Sequence, residues 1–371
     1  MADGLERFDG KVVLQQRVLP SYRIPFFDRL ASACVGGLEV YAGLPRPGEG
    51  ILTGREPERA FWAKADNRHW FAGSFYMLRQ PGLIEWLDRS RPEALVLEAN
   101  LRYLDNWKAI RWAKDEGIPV IGWGLGAPAV SDGWNPAGWL WSRFLRGFDR
   151  LIAYSSHGAV EYHQAGLEAG RIHVALNAAV GGPEKVPDRQ SPVGRPLRVL
   201  FVGRLQARKN VDHLLWACAR LGSGTVSLRV VGDGPERPRL EKLADEVFPA
   251  AEFSGAQQGQ ALRNSFEWAD IFVLPGTGGL AVQQAMAHGL PVVVARGDGT
   301  QEDLVRPENG WLVEEESPQE LAAVLREAVD IPDSLPQMGR VSADIVREEV
   351  NLDAMVEVFL EALRGATERR G

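Results

Sequence analysis

Residues 271–294 read IFVLPGTGGLAVQQAMAHGLPVVV, and their pattern sets the architecture. Ile271 to Leu274 form an unbroken apolar run, the signature of a strand covered on both faces. A Pro-Gly-Thr-Gly-Gly turn follows at 275–279, helical spacing resumes at Leu280, and a second apolar strand candidate occupies 291–294. Strand, helix and strand in this order make a parallel-sheet unit, because parallel neighbours need a crossover. Glycines at such a turn leave the first amides of the helix unpaired. With the helix dipole these amides form a seat for phosphate or another anion. The same glycines also suit a tight turn that holds nothing, so the turn alone decides little.

Working outward, the alternation continues. Strand candidates lie at 11–14, 38–41, 94–98, 119–122, 150–154 and 172–176, then at 198–202, 227–231, 251–253, 271–274 and 291–294. Helical patterns separate most of them, for example at 105–115, 212–220 and 237–247. Residues 181–196 carry four prolines and three glycines without apolar periodicity and read as a linker. The chain of 371 residues thus divides into two α/β halves of similar size. Residues 352–364 (LDAMVEVFLEALR) read as an amphipathic helix.

Composition excludes several classes. Hydrophobic residues are 45% and charged residues 25%, ordinary for a globular protein, and the net charge of −7 argues against nucleic-acid binding. No run of about 18 apolar residues occurs and the first residues lack an apolar core, so neither a membrane span nor a signal peptide is expected. Cys34 and Cys218 sit far apart in apolar helical patterns and read as buried thiols, in keeping with a reducing, cytoplasmic setting. The six histidines show no metal-ligand spacing and no Asp-x-Asp pair occurs, so no metal and no bound cofactor are expected.

In open α/β sheets ligands bind beyond the carboxyl ends of strands, so the turns there deserve inspection. The strand at 198–202 runs into Gly203-Arg204-Leu205, with Lys209 four residues further on. Arg grips phosphate oxygens through a forked guanidinium and Lys adds a compact charge, a pair suited to a diphosphate, although a solvated basic loop has the same composition. Gly232-Asp233-Gly234 follows the next strand and Gly255 the one after. Such turns can approach a nucleobase by their backbone or simply reverse the chain.

Together, GRL with Asn210 after it, GDGP, F-x-G, the glycine turn leading to AMAHGLPVVV, then GDGTQEDLV and NGWLV resemble the donor-binding domain of family-4 retaining glycosyltransferases of the GT-B fold. The resemblance runs from about 198 to 313; PSYRIPFFDRLAS, GWGLGAP and LIAYSSHGAVEYHQAG extend it more loosely into the first half. It implies two Rossmann-like domains facing a central cleft: an acceptor domain at 1–182, a linker at 183–196, a nucleotide-sugar domain at 197–348, and a C-terminal helix at 349–371 crossing back to the first domain. It implies sugar transfer from a nucleotide-diphosphate donor, with UDP or GDP expected, to a hydroxyl of a sugar, lipid-linked or small-molecule acceptor. Retention of configuration and metal independence are implied as well. Arg204 and Lys209 match the diphosphate-contacting pair, and Gly278, Gly279 and Leu280 match the amides facing the phosphates, with Gly276 and Thr277 in the same turn. Gly203 falls in the donor- and phosphate-binding turn with Arg204; Gly232, Asp233, Gly234 and Gly255 fall at nucleotide-side turns, and Asp303 at an acidic loop position.

This chain departs from that pattern in two ways. The family's glutamate pair, with seven residues between them, is replaced by Gly276 and Gln284, and its acceptor-side histidine is missing from GWGLG. An amide at 284 can still accept one hydrogen bond from a ribose hydroxyl and donate another. Glu98, at the end of the strand at 94–98, or Asp132, in the loop after GWGLG, is the carboxylate available to approach the sugar. Loss of the pair does not by itself remove catalysis, because donors fixed at the leaving diphosphate supply a few kcal/mol each, roughly 10²–10³ in rate. An active enzyme is therefore the leading expectation; a catalytically degenerate homologue that binds a nucleotide or partner is the alternative.

Tyr22, Arg23, Asn100 and Arg102 follow strands in the first half and are further ligand candidates, or plain loop residues. The segment 133–150 mixes Trp139, Trp141, Phe144, Leu145 and Phe148 with Arg143, Arg146 and Arg150. It reads as a core-facing helix with a basic edge, with weak peripheral association at the inner face of a membrane as the second reading.

Overall fold

The computed structural model describes residues 6–47, 49–71, 76–127, 136–183, 187–314 and 317–368. The chain divides into two compact units, Met1–Ala179 with Leu352–Gly371, and Val180–Asn351.

The first unit starts with β1 (Val12–Val18), α1 (Ile24–Ala33), β2 (Leu38–Gly43) and β3 (Phe61–Lys64). A small antiparallel pair follows, β4 (Arg68–Trp70) with β5 (Met77–Arg79). Then come α2 (Leu83–Ser90), β6 (Ala94–Glu98), α3 (Leu104–Asp115), β7 (Val120–Gly124), α4 (Pro136–Leu145), β8 (Arg150–Ala153), α5 (Ser156–Gln164) and β9 (Ile172–Val174). Seven strands form one parallel sheet in the order β3-β2-β1-β6-β7-β8-β9. The order reverses at β1, whose neighbours are β2 and β6, so the turns after β1 and β6 occupy the switch point where such sheets bind ligands.

The second unit contains β10 (Leu197–Val202), α6 (Val211–Leu221), β11 (Val226–Val231), α7 (Arg237–Val247), β12 (Glu252–Gly255) and α8 (Gly259–Trp268). It continues with β13 (Ile271–Leu274), α9 (Leu280–Ala287), β14 (Val292–Ala295), β15 (Gly310–Val313), α10 (Pro318–Asp330) and α11 (Leu335–Glu348). Its six strands are parallel in the order β12-β11-β10-β13-β14-β15, with the switch point between β11 and β13, at β10. β13 and β14 are buried throughout, as their unbroken apolar sequence requires.

The chain then returns to the first unit as α12 (Leu352–Thr367). Phe359 meets Phe26 and Trp123 edge-on, with ring centroids 4.9 and 5.0 Å apart. Met355, Val356, Leu360 and Leu363 join the same core as Val12, Leu14 and Phe27. Cys34 and Cys218 are free and buried, and burial pushes each thiol up to about 12.

Two features of the fold depart from the sequence pattern. β1 runs on through Gln15, Gln16 and Arg17, beyond the expected end at Leu14. Both glutamines are buried, and the Gln15 side chain and the Gln16 carbonyl are satisfied by residues far along the chain. Gln15 Nε2 donates to Gln80 Oε1 at 2.5 Å, Gln80 Nε2 donates to the Gln16 carbonyl, and Asn106 Nδ2 donates to Gln15 Oε1 at 3.1 Å. The second feature is the segment expected as a linker, which belongs to the second unit. Arg189 donates to the carbonyls of His288 (2.9 Å), Ala269 (2.6 Å) and Phe266 (2.8 Å), closing the C-terminal ends of α8 and α9 together. Arg195 grips Asp270 through both Nη atoms at 2.6 and 2.7 Å. Residues 187–196 are therefore a strap fastened to the unit, in spite of their prolines.

Candidate functional site

The turn after β13 is stitched to the turn after β10. The Thr277 amide donates to the Arg208 carbonyl at 3.1 Å, and Arg208 Nη1 donates to Thr277 Oγ1 at 3.2 Å. Lys209 Nζ donates to the Thr277 carbonyl, and Asn210, in the left-handed region at φ 50°, donates through Nδ2 to the Pro275 carbonyl at 3.4 Å. Both turns leave adjacent strands at the switch point, which is why residues nearly seventy apart in sequence form one surface.

Gly276 explains how the turns come so close. It is buried, and a Cβ there would overlap the Arg208 carbonyl oxygen and the Lys209 backbone. The position that the family pattern would give a carboxylate is thus filled by main chain. Gly278 takes a φ of +134°, and a Cβ on it would strike Lys209 Nζ. The amides of Gly278, Gly279 and Leu280 make no hydrogen bond among the described residues, where α9 begins without a side-chain cap. Three unpaired donors, a helix N-terminus and an adjacent ammonium constitute a seat for an anion. Burial, and secondarily Arg208, lower the Lys209 ammonium to about 8, partly opposed by Asp298.

Gln301, in the loop after β14, is fully buried and directs Nε2 towards the Gly278 carbonyl at 3.4 Å, bracing the turn from the other side. Sequence reading passed over it. The signal was present in its place next to the acidic pair of GDGTQEDLV. Asp303 in the same loop is partly buried. Arg204 is exposed after β10 and makes no hydrogen bond or ion pair among the described residues. Gln284 lies one turn into α9, partly buried, with its carbonyl accepting from His288.

The glycines of the neighbouring turns have packing roles of their own. Gly232 has φ +150°, its amide donates to the Gly255 carbonyl at 2.8 Å, and a Cβ would overlap the Gly203 carbonyl. Gly234 has φ +159°, its amide is taken by Asp233 Oδ1 at 2.7 Å, and a Cβ would overlap the Leu205 carbonyl. Gly232 and Gly234 therefore let the turn after β11 touch the turn after β10 backbone to backbone, whereas a Cβ at Gly203 or Gly255 would meet only the side chains of Phe201 and Arg237. The amides of Gly232 and Gly234 are spent within the protein and are not offered to a base.

In the first unit, Glu98 ends β6 and is held in a network. The Arg17 amide donates to its Oε2 at 2.7 Å, and the Tyr103 hydroxyl to Oε1 at 3.3 Å. Burial raises the carboxyl, and the Arg17 amide and charge only partly offset that. Arg23 is 6% exposed and lies over the rings of Trp123 (4.4 Å), Tyr154 (5.3 Å) and Tyr22 (5.6 Å), while Tyr22 itself is exposed. Arg23 is thus a stacked core cation rather than a loop group. Asn100 shapes its own turn, accepting from the Arg102 amide at 3.1 Å, and the Arg102 guanidinium lies 5.1 Å from the Tyr76 ring centre. Asp132 lies outside the described residues. Phe144, Leu145 and Phe148 are core residues, whereas Trp139, Leu140, Arg143 and Arg146 on α4 and just beyond it are exposed. No cluster of three metal-ligating side chains occurs among the described residues, and no helix of the described chain is long and apolar enough to cross a membrane.

Comparison with known proteins bears on both units. Residues 196–330 match the family model described as Glycosyl transferases group 1. Over 186 residues, 48% of this chain and 47% of the relative, the sequence is 36% identical to a GDP-mannose-dependent alpha-mannosyltransferase of Mycobacterium tuberculosis. It is 31% identical over 176 residues, 44% of this chain and 43% of the relative, to the putative colanic acid biosynthesis glycosyltransferase WcaL of Salmonella typhimurium. The chain spans a little under half the length of these curated relatives. Among solved structures, HepE of Anabaena in complex with UDP superposes with a TM-score of 0.70 at 16% identity, covering 96% of this chain and 99% of that one. A glycosyltransferase of Rickettsia africae gives 0.71 at 14% identity, covering 96% and 98%. These likenesses show the fold: two Rossmann-like α/β units of the GT-B type.

Proposed function

We propose that the protein is a group 1 glycosyltransferase that moves a hexosyl or deoxyhexosyl group from a nucleotide-diphosphate sugar to an acceptor hydroxyl. The observation that carries this reading is the stitched turn of Lys209 and residues 276–280, with its three unpaired amides, inside the segment that matches the family. The seat takes the donor's diphosphate, and Arg204, exposed beside it in sequence, adds the second cation. In the reaction the bond between the anomeric carbon and the diphosphate oxygen breaks, and the electron pair leaves with the diphosphate. The acceptor oxygen bonds to the anomeric carbon and its proton passes to the departing phosphate. Charge grows on the diphosphate as the bond breaks, so donors fixed there stabilise the transition state more than the ground state.

This mechanism asks no protein carboxylate to act as base, which accords with main chain filling the place of one at Gly276. It is the retaining, metal-independent course of family 4, carried out with an altered Glu-x7-Glu segment in which Gln284 meets the ribose. The donor nucleotide is UDP or GDP; one relative is described as GDP-mannose-dependent and one structural neighbour holds UDP. The exposed Trp139 and Leu140 beside Arg143 and Arg146 favour weak peripheral contact with an anionic membrane at the cytoplasmic face.

Donor hydrolysis or transfer with Arg204→Ala and Lys209→Ala tests the proposal. Each variant is expected to lose about 10²-fold in kcat/KM. Full activity in both would remove the phosphate seat from the mechanism. A second reading, a nucleotide-binding homologue without turnover, is favoured by the lack of room for a side chain at 276. Turnover of any UDP- or GDP-sugar by the purified protein eliminates it.

A further inference from the structure

The first unit carries a second polar site at the carboxyl edge of its own sheet. The turns after β2 and β3 enclose a cavity of about 350 Å³ lined by Leu44, Arg46, Asp66, Asn67 and His69 among others. That volume suits a small ligand.

The charges around it do not balance. The Glu49 carboxylate is shared by two guanidiniums: Arg17 Nη1 donates to both its oxygens at 3.0 and 2.8 Å, and Arg46 Nε lies 3.6 Å away, too far for a hydrogen bond. Asp66 is taken by Arg68 at 2.8 Å. Arg46 and Arg102 both approach the Tyr76 ring, with guanidinium carbons 5.1 Å from its centre. The Tyr76 hydroxyl is 3.5 Å from that of Tyr103, which in turn reaches Glu98.

Unused polar atoms point the same way. Arg46 Nε and both ring nitrogens of His69 are buried without a hydrogen-bond partner. Asn67, by contrast, is fully committed. Its Nδ2 donates to the carbonyls of Arg17 and Leu44, and its Oδ1 accepts from Gln80, fixing the two turns against each other. Asn67 therefore ties the walls of the cavity together while Arg46 and His69 keep unpaired nitrogens. Burial, then Arg46 and Arg17, lower the His69 imidazole, partly opposed by Glu49. Burial works to raise Glu49, but its two arginines hold it below the usual carboxylate range.

We propose that this cavity binds the phosphate group of a phosphorylated hydroxyl acceptor, with Arg46 and His69 as its direct contacts and Tyr76 and Arg102 at its margin. The proposal rests on the glycosyl-transfer reading above and specifies its acceptor class. A phosphate offers several oxygens to converging forked and imidazole donors, and it neutralises a charge that Glu49 alone leaves over. The phosphate can belong to a soluble sugar or polyol phosphate, or to a lipid head group.

The test measures binding to the full chain of glucose 6-phosphate against glucose, and of phosphatidylcholine vesicles with and without phosphatidylinositol. UDP and GDP are titrated separately. The phosphorylated sugar is expected to bind about tenfold more tightly than glucose, and Arg46→Gln to erase that preference. Arg46→Lys, which keeps the charge, retains part of it, and nucleotide affinity stays the same in both variants. Arg46-dependent binding of the vesicles alone assigns the phosphate to a lipid, and of the sugar alone to a soluble acceptor. Equal affinity for both sugars together with indifference to phosphatidylinositol overturns the proposal, as does a phosphate preference that survives Arg46→Gln. If neither nucleotide binds while the Arg46-dependent phosphate site persists, the glycosyl-transfer reading falls and the site stands.

Discussion

Lys209 makes the proposed donor seat sensitive to alkali. Its ammonium is lowered to about 8, first by burial and then by Arg208, so the free protein loses this charge as the pH rises through that value. A bound diphosphate favours the charged form, and donor binding above pH 8 must take up a proton. The dissociation constant for UDP or GDP should therefore rise with pH above about 8, by up to about tenfold per unit, and Lys209→Arg should flatten the profile. Titration calorimetry at several pH values reads this directly. Stability runs the opposite way. A lysine whose folded value lies below its unfolded one binds fewer protons when folded, so the free protein gains stability as pH rises from about 8 towards the ordinary lysine value. At this scale the sequence conveyed residue types but not tasks. Arg204, Lys209 and the 278–280 amides could be picked out because anion seats have a recognisable composition. The glycines at 232, 234 and 276 could not be sorted, since a backbone that approaches a ligand and one that approaches another turn both need the missing Cβ.

The helices of the second unit depend on a residue from the strap. Arg189 closes three carbonyls at the C-terminal ends of α8 and α9, and burial pulls its guanidinium down to about 10 while leaving it charged at neutral pH. Arg189→Met keeps the bulk and removes the donors; a loss of about 2–4 kcal/mol is expected, read by urea unfolding of the second unit. Because α9 carries the proposed seat at its other end, nucleotide affinity is expected to weaken in the same variant. Most elements could be read from periodicity, since strands such as 271–274 are apolar throughout and helices between them repeat every three to four residues. The misses have physical causes. β1 was cut short at Gln15 because two buried amides look like a surface, and only Gln80 and Asn106, far along the chain, reveal how the Gln15 side chain is satisfied. β15, Gly310–Val313, was absorbed into a motif and not counted as a strand, and the short pair β4 and β5 has no alternation to speak of. The strap looked like a linker because proline and glycine content says nothing about where an arginine will reach.

Across the whole molecule, the first unit is assembled from two separated stretches of chain, the second from one. Phe359 of α12 sits against Phe26 and Trp123, so Phe359→Ala should cost about 3–5 kcal/mol in the first unit alone. Calorimetry should show that unit's transition fall while that of the second unit stays in place. The amphipathic helix was readable in residues 352–364, but its docking site was not, because apolar periodicity identifies a face and not its partner. The return of α12 also fixes an order of events during synthesis. The second unit, continuous from Val180 to Asn351, can close as soon as it is made, whereas the first must wait, with Phe26, Phe27 and Trp123 uncovered, until residues 352–367 emerge. The half of the protein translated earlier is therefore completed later. During that interval an aromatic groove on a nascent chain is the part of this protein most in need of a chaperone.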